Sequence, residues 1–391
     1  MHPRVEAVWK LVPKPVQDTI ASTVDRLQGV TPPPPPVPDL SRPTRMLVGP
    51  VNYAGQGYRW SRAAETSGAV SGVNYVHSGN NLLQYPADYT VTWRTAEHSR
   101  AWQKAMLDAI AENYTHVLIE ACFPILGGMF SGDLRRQTAL LQERGMRVGI
   151  VGHGNEVRLP STHLESTPWS PFTDSDEWIP VDLAEKAVAA NLAAIRDLDL
   201  PTFVSTAGLL VDLPQAQFLG VVIDQQQWIN DEPLLERDRI RVIHGPTNPH
   251  VKGTPLIVPI AQRLHDEGLI EFIQLDRVPN HEMPAVMASA DVVLDQFRIG
   301  DYGVAACESM TSGRVVLAHI TEQVRREVET HAGMALPIPD TTPDTLEHML
   351  RDIAARRDEY RAIARTGKDF VARLHNGDFS RDQLMKHFLA A

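Results

Sequence analysis

The sequence predicts an α/β protein made of two doubly wound domains. Three observations lead there. Short β-rich runs alternate with helical stretches from Met46 onward, the series occurs twice, and 391 residues are more than one ordinary core organises. Strands separated by helices of this length pair in parallel through right-handed crossovers. Open sheets of that kind place their ligands at the carboxyl ends of the strands, so the cleft between two such domains is the expected active site.

The first series opens with a strand at Met46-Leu47-Val48-Gly49 and a helix from Arg59 to Ala69. Val117-Leu118-Ile119 is the next strand, followed by a helix around Leu134–Arg144. Arg147–Val151 is a third strand, with a helix at Leu183–Leu198. Phe203–Ser205 and Phe218–Val222 close this half. The second series runs strand Ile240–Ile243, helix Leu256–Leu264, strand Phe272–Leu275 and helix Met283–Ala288. Strand Val292–Leu294, helix Val304–Thr311 and strand Val315–Ala318 complete it.

Ahead of the first strand lies a leader. Val8, Trp9, Leu11, Val12, Val16, Ile20 and Val24 make one face of a helix or two, and Arg4, Lys10, Lys14 and Arg26 accompany them. Such a segment packs on its own domain or lies on a membrane surface, which makes residues 1–30 the candidate for peripheral membrane contact. The interspersed Glu6, Asp18 and Asp25 argue against a secretory signal. Pro32–Pro36 then favours polyproline II and a semi-rigid spacer.

Composition narrows the function. With 37 Lys+Arg against 48 Asp+Glu the net charge is −11, which argues against a general nucleic-acid binder. No apolar run reaches the roughly 18 residues of a membrane-spanning helix. Cys122 and Cys307 have neither metal-type spacing nor a disulfide framework, so a reducing, cytoplasmic setting is the simplest expectation.

Four loops at strand ends carry the candidate chemistry. Asn52-Tyr53-Ala54-Gly55-Gln56-Gly57 follows the first strand, and its glycines let backbone approach a ligand at a helix start. Trp60 stands where a dinucleotide fingerprint needs its third glycine, so a nicotinamide dehydrogenase is disfavoured. Gly152-His153-Gly154-Asn155-Glu156-Val157-Arg158 offers an imidazole flanked by glycines, either for substrate contact or as a structural group. His244 to Thr254 contains Lys252-Gly253-Thr254, whose order is wrong for a P-loop although a lysine at a helix start suits phosphate. Gly300 to Met310 places Gly303 at a helix start and Glu308 about a turn and a half inside it. A carboxylate in that apolar run needs a partner, and a ribose diol is suitable.

Taken with Gly220–Asp224 and Trp228, these stretches make the chain from Met46 onward resemble glycosyltransferase family 4 of the GT-B superfamily. The resemblance implies two Rossmann-like domains facing a central cleft. It implies transfer of a sugar from a nucleotide-diphosphate donor to an acceptor hydroxyl, with retention and without a metal or other cofactor. By the same resemblance the chain divides into a leader at 1–44, an acceptor-side domain at 45–230, a donor-side domain at 231–367 and a returning C-terminal helix at 368–391. Lys252 matches the basic residue that holds the diphosphate, Glu308 the glutamate on ribose, and His153 the histidine at the transferred sugar. Gly57, Gly303 and Val304 match phosphate-contacting positions, and Val278 lies near the base. Asn52, Gln56 and Arg158 are the acceptor-side candidates. Two positions depart from the pattern: Gly300 replaces a common glutamate and Pro246 a common arginine, with Asp301 and His244 as out-of-register substitutes. An epimerase or phosphorylase of the same architecture, or a catalytically silent nucleotide-sugar binder, are the alternatives.

Overall fold

The computed structural model describes residues 12–29, 31–78, 85–173, 179–276 and 278–390. The acidic stretch with Asp174, Asp176 and Glu177 falls outside them, as does the front of the leader. The chain forms two compact units. The first comprises residues 1–152, 193–203 and 384–391, and the second 153–192 and 204–383.

One sheet has seven strands in the order β3-β2-β1-β4-β5-β6-β7: β1 Thr44–Gly49, β2 Val70–His77, β3 Tyr89–Val91, β4 His116–Glu120, β5 Arg147–Gly152, β6 Thr202–Val204 and β7 Gln217–Phe218. β1 pairs in parallel with β2 and β4, β2 with β3, and β4 with β5. The unbroken apolar run Met46-Leu47-Val48 is fully buried, as a central parallel strand covered on both faces requires. The second sheet has the order β11-β10-β8-β9, with β8 Ile240–His244, β9 Ile270–Gln274, β10 Val292–Leu294 and β11 Val315–Leu317, again parallel.

The second unit's core follows from helical spacing. Ile257, Ala261 and Leu264 form the buried face of the helix Thr254–Asp266, and Leu346, Leu350 and Ile353 that of Leu346–Ala355. Both stack on Val242, Leu294 and Leu317 of the sheet. Each such aliphatic side chain contributes roughly 1.5–3 kcal/mol by leaving water.

Two local expectations change. The first helix is Gln56–Glu65 rather than Arg59–Ala69, because Gly68 takes a left-handed conformation (φ 74°) and Val70 already begins β2. Residues 218–222 do not form one strand beyond Phe218. Gly220 turns left-handed (φ 73°), and the carbonyl of Val221 accepts from His375 while the amide of Ile223 donates to the His375 carbonyl. In the leader, a helix spans Lys14–Leu27 and Lys14 pairs with Glu97. The proline run is docked within the first unit, its carbonyls at Pro33 and Pro36 accepting from the hydroxyls of Tyr89 and Tyr114, both at 2.9 Å.

The last residues complete the first unit. Leu384, Phe388 and Leu389 are buried there, with Phe388 edge-on to His116 at 5.0 Å between ring centres and 6.3 Å from Phe203.

Candidate functional site

Of the donor-side candidates, Lys252, Val278, Gly303, Val304 and Glu308 belong to the second unit and Gly57 to the first. Asn248 caps a single helical turn, Pro249–Lys252, by accepting from the Val251 amide at 3.2 Å, and Gly253 (φ 81°) redirects the chain into Thr254–Asp266. Lys252 ends that turn held at two points. Its carbonyl accepts from the Phe297 amide at 3.1 Å, and its ammonium is in direct ion-pair contact with Asp295. Asp295 follows β10 immediately, at the carboxyl end where open sheets put their chemistry. Its side chain is 1% exposed, and its Oδ2 has no hydrogen-bond partner.

From Asp295 the chain runs through a tight loop to the helix Val304–Thr311. Gly300 is left-handed (φ 75°), and a Cβ there would sit 2.6 Å from the Thr321 methyl. The glycine that replaces a carboxylate in the family pattern is thus required by the local backbone. Gly303 begins the helix with extended backbone, no side chain caps this end, and a Cβ on Gly303 would meet nothing within 4 Å. Open space over uncapped amides is the setting a phosphate occupies. Glu308 is buried further along this helix. Asp295, Glu308 and Asp301 all act on the Cys307 thiol, whose pKa is raised first by burial and then by these three charges. Val278 lies half-buried in the loop after β9.

The two out-of-register substitutes are occupied by the fold. His244 uses Nδ1 on the Leu294 carbonyl and Nε2 on the Thr254 hydroxyl, both at 2.8 Å, and burial lowers its pKa. Asp301 accepts from the amides of Gly208 and Tyr302, both at 2.8 Å, and from the Thr206 hydroxyl. Burial raises its pKa against the pull of those bonds and of Arg158.

His153 belongs to the same unit. It is half-buried, and the Glu156 carboxylate folds back to accept its amide and that of Gly154, the latter at 3.0 Å. Ser205 donates to the His153 carbonyl at 3.3 Å, so the loop's backbone is fixed from two directions. Arg158 is buried, bonded to the Asn155 side chain at 3.0 Å. Burial lowers its pKa, and Asp301, Glu156 and Asp212 oppose that shift. Its charge serves the interior of the unit.

The glycine-rich loop belongs to the first unit and is organised around a buried carboxylate that lies outside the four candidate loops. Glu120, at the end of β4, accepts from the Asn52 amide at 3.1 Å. Asn52 in turn accepts from the Tyr58 amide at 3.0 Å and donates to the Pro86 carbonyl at 2.9 Å. A Cβ on Gly57 would lie 2.5 Å from the Asn74 amide nitrogen and 2.7 Å from the Glu120 carboxylate. Gly57 is what lets that carboxylate reach the helix start. Gln56, the third acceptor-side candidate, is buried, its amide donating to the Ala54 carbonyl at 3.3 Å.

Among the described residues no group of three or more His, Cys, Asp or Glu is arranged to hold a metal ion, and no helix is long and apolar enough to cross a membrane. Cys122 and Cys307 are both buried, and neither is in a disulfide.

These two parallel sheets and their crossover helices define the GT-B fold. Solved structures of similar fold include a sucrose-phosphate synthase from Thermosynechococcus elongatus, at 12% identity and a TM-score of 0.58 over 88% of this chain and 98% of that one. HepE from Anabaena, solved with UDP and glucose, has 11% identity and a TM-score of 0.57 over 89% and 100%. WaaG, a glycosyltransferase involved in lipopolysaccharide biosynthesis, has 11% identity and a TM-score of 0.53 over 88% and 99%. No protein-family model matches the sequence, and no curated protein matches it.

Proposed function

We propose that this chain is a glycosyltransferase that moves a sugar from a nucleotide-diphosphate donor to an acceptor hydroxyl with retention. The observation that carries the reading is Lys252, fixed to the loop that leads into the open, uncapped helix start at Gly303. Breaking a glycosyl–phosphate bond builds negative charge on the departing diphosphate. A lysine and the amides of Val304 and its neighbours are suited to stabilise it, an electrostatic contribution that outweighs proton transfer for such a leaving group. Glu308 would take the ribose diol, His153 the transferred sugar, and Val278 the edge of the base. Gly57 would lie near donor and acceptor, with Asn52, Gln56 and Arg158 shaping the acceptor side through the loops they hold.

HepE was solved with UDP-glucose, which supports a nucleotide sugar as donor. The involvement of WaaG in lipopolysaccharide biosynthesis supports a place in bacterial cell-surface glycoconjugate assembly. Such chemistry fits a cytoplasmic protein that touches the membrane peripherally through residues 1–30. In that stretch Val16, Ile20 and Leu27 are exposed.

A thermal-shift panel of UDP-, GDP- and TDP-sugars tests the donor, with about 2.7 kcal/mol of stabilisation expected at a hundred times the dissociation constant. Turnover that survives EDTA, with product of retained configuration, completes the reading. Epimer formed from donor alone, or no stabilisation by any nucleotide sugar, would overturn it.

A further inference from the structure

We infer that Asp295 is the specificity-determining residue of the donor site: one carboxylate oxygen holds Lys252, and the other accepts a hydrogen bond from a hydroxyl of the transferred sugar. This deepens the glycosyltransferase reading and rests on it. Asp295 is 1% exposed, directly follows β10, and its Oδ2 is buried without a partner. A buried, unsatisfied carboxylate oxygen is costly, so its retention points to a partner that arrives with the ligand. Two other buried polar groups of this unit are committed to the fold. His244 spends both ring nitrogens, and Asp301 spends both oxygens, on the fold itself.

Charge identifies the class of ligand. The ammonium of Lys252 is already matched by Asp295, so a bare diphosphate approaching Lys252 also meets a carboxylate and is repelled by it. A nucleotide sugar brings both halves of the complement: phosphate for Lys252 and the uncapped helix start, and a hydroxyl donor for the open oxygen of Asp295. The site is thereby built to prefer the intact donor over its nucleoside diphosphate product.

Isothermal titration of wild type and Asp295→Asn with UDP and UDP-glucose, and with GDP and GDP-mannose as a second pair, tests this. The asparagine retains an oxygen for Lys252 but turns the open acceptor into a donor and removes the charge. The expected result is tighter binding of the nucleoside diphosphate and a preference for the intact sugar nucleotide reduced about 10- to 100-fold. Asp295→Ala, the fallback if the asparagine variant does not fold, shifts the preference the same way. Equal weakening of both ligands in a folded variant would make Asp295 a support for Lys252 alone and overturn the inference. Wild type that binds neither pair would overturn the glycosyltransferase reading itself.

Discussion

Gly57 and Gly303 look alike in the sequence, each at a helix start after a strand, yet their surroundings make opposite demands. Gly57→Ala drives a methyl into Asn74 and Glu120 and is expected to cost about 1–3 kcal/mol. Gly303→Ala enters open space, so its melting temperature is expected to stay within a degree or two of wild type while nucleotide affinity falls, the methyl taking the place proposed for the phosphate. Chemical denaturation and nucleotide titration of both variants separate the two effects. Lys252→Ala removes the charged contact proposed for the phosphate and is expected to weaken nucleotide binding about 10- to 100-fold. At this scale the sequence singles out Lys252, Glu308 and Gly303 as candidates, because residue type and place in the loop already suggest a chemistry. It conceals Asp295, since a carboxylate after a strand says nothing about which of its oxygens lacks a partner. It equally conceals that Asp301 and His244 are consumed by neighbours distant along the chain.

Among the elements, the loop at His375 carries the clearest pH dependence. His375 donates from Nδ1 to the Val221 carbonyl at 2.9 Å and meets the Tyr302 hydroxyl at Nε2, also at 2.9 Å. Burial lowers its pKa from 6.5 to about 4. The folded value lies below the unfolded one, so its contribution to stability is complete above pH 6.5 and is lost as pH falls toward 4. His163, lowered to about 4 by burial and then by Arg158, acts in the same window and the same unit. Melting temperature is therefore expected to drop between pH 6.5 and 4.5, less steeply in His375→Gln, which keeps one polar contact but does not titrate. The strands β1, β4, β5, β8, β10 and β11 are legible as apolar runs. β2 is not, because buried Ser71, Asn74 and His77 interrupt its pattern. The reverse error at Val221 and Val222 has a simple cause. Both are buried, but by the His375 loop rather than by a ladder.

For the whole molecule, what matters is which parts of the chain each unit needs. Phe388 fills a site bounded by His116, Phe203 and Gly149, where a Cβ on the glycine would lie 3.2 Å from the ring. Phe388→Ala is expected to cost about 3–5 kcal/mol, measured as a lower midpoint of urea denaturation. Removal of residues 384–391 should lower it at least as far, with hydrogen exchange rising first in β4 and β5. The twofold repetition of strand and helix is plain in the sequence. The interleaving of chain segments between units is not, since it depends on contacts hundreds of residues apart. That interleaving sets an order of events during synthesis. Residues 1–152 leave the ribosome before the second unit, but the unit they belong to lacks Leu384, Phe388 and Leu389 until residues 204–383 have been translated. Until then its apolar site beside His116 stays uncovered, and the first unit gains its last cooperative stability only once residues 384–389 have joined it.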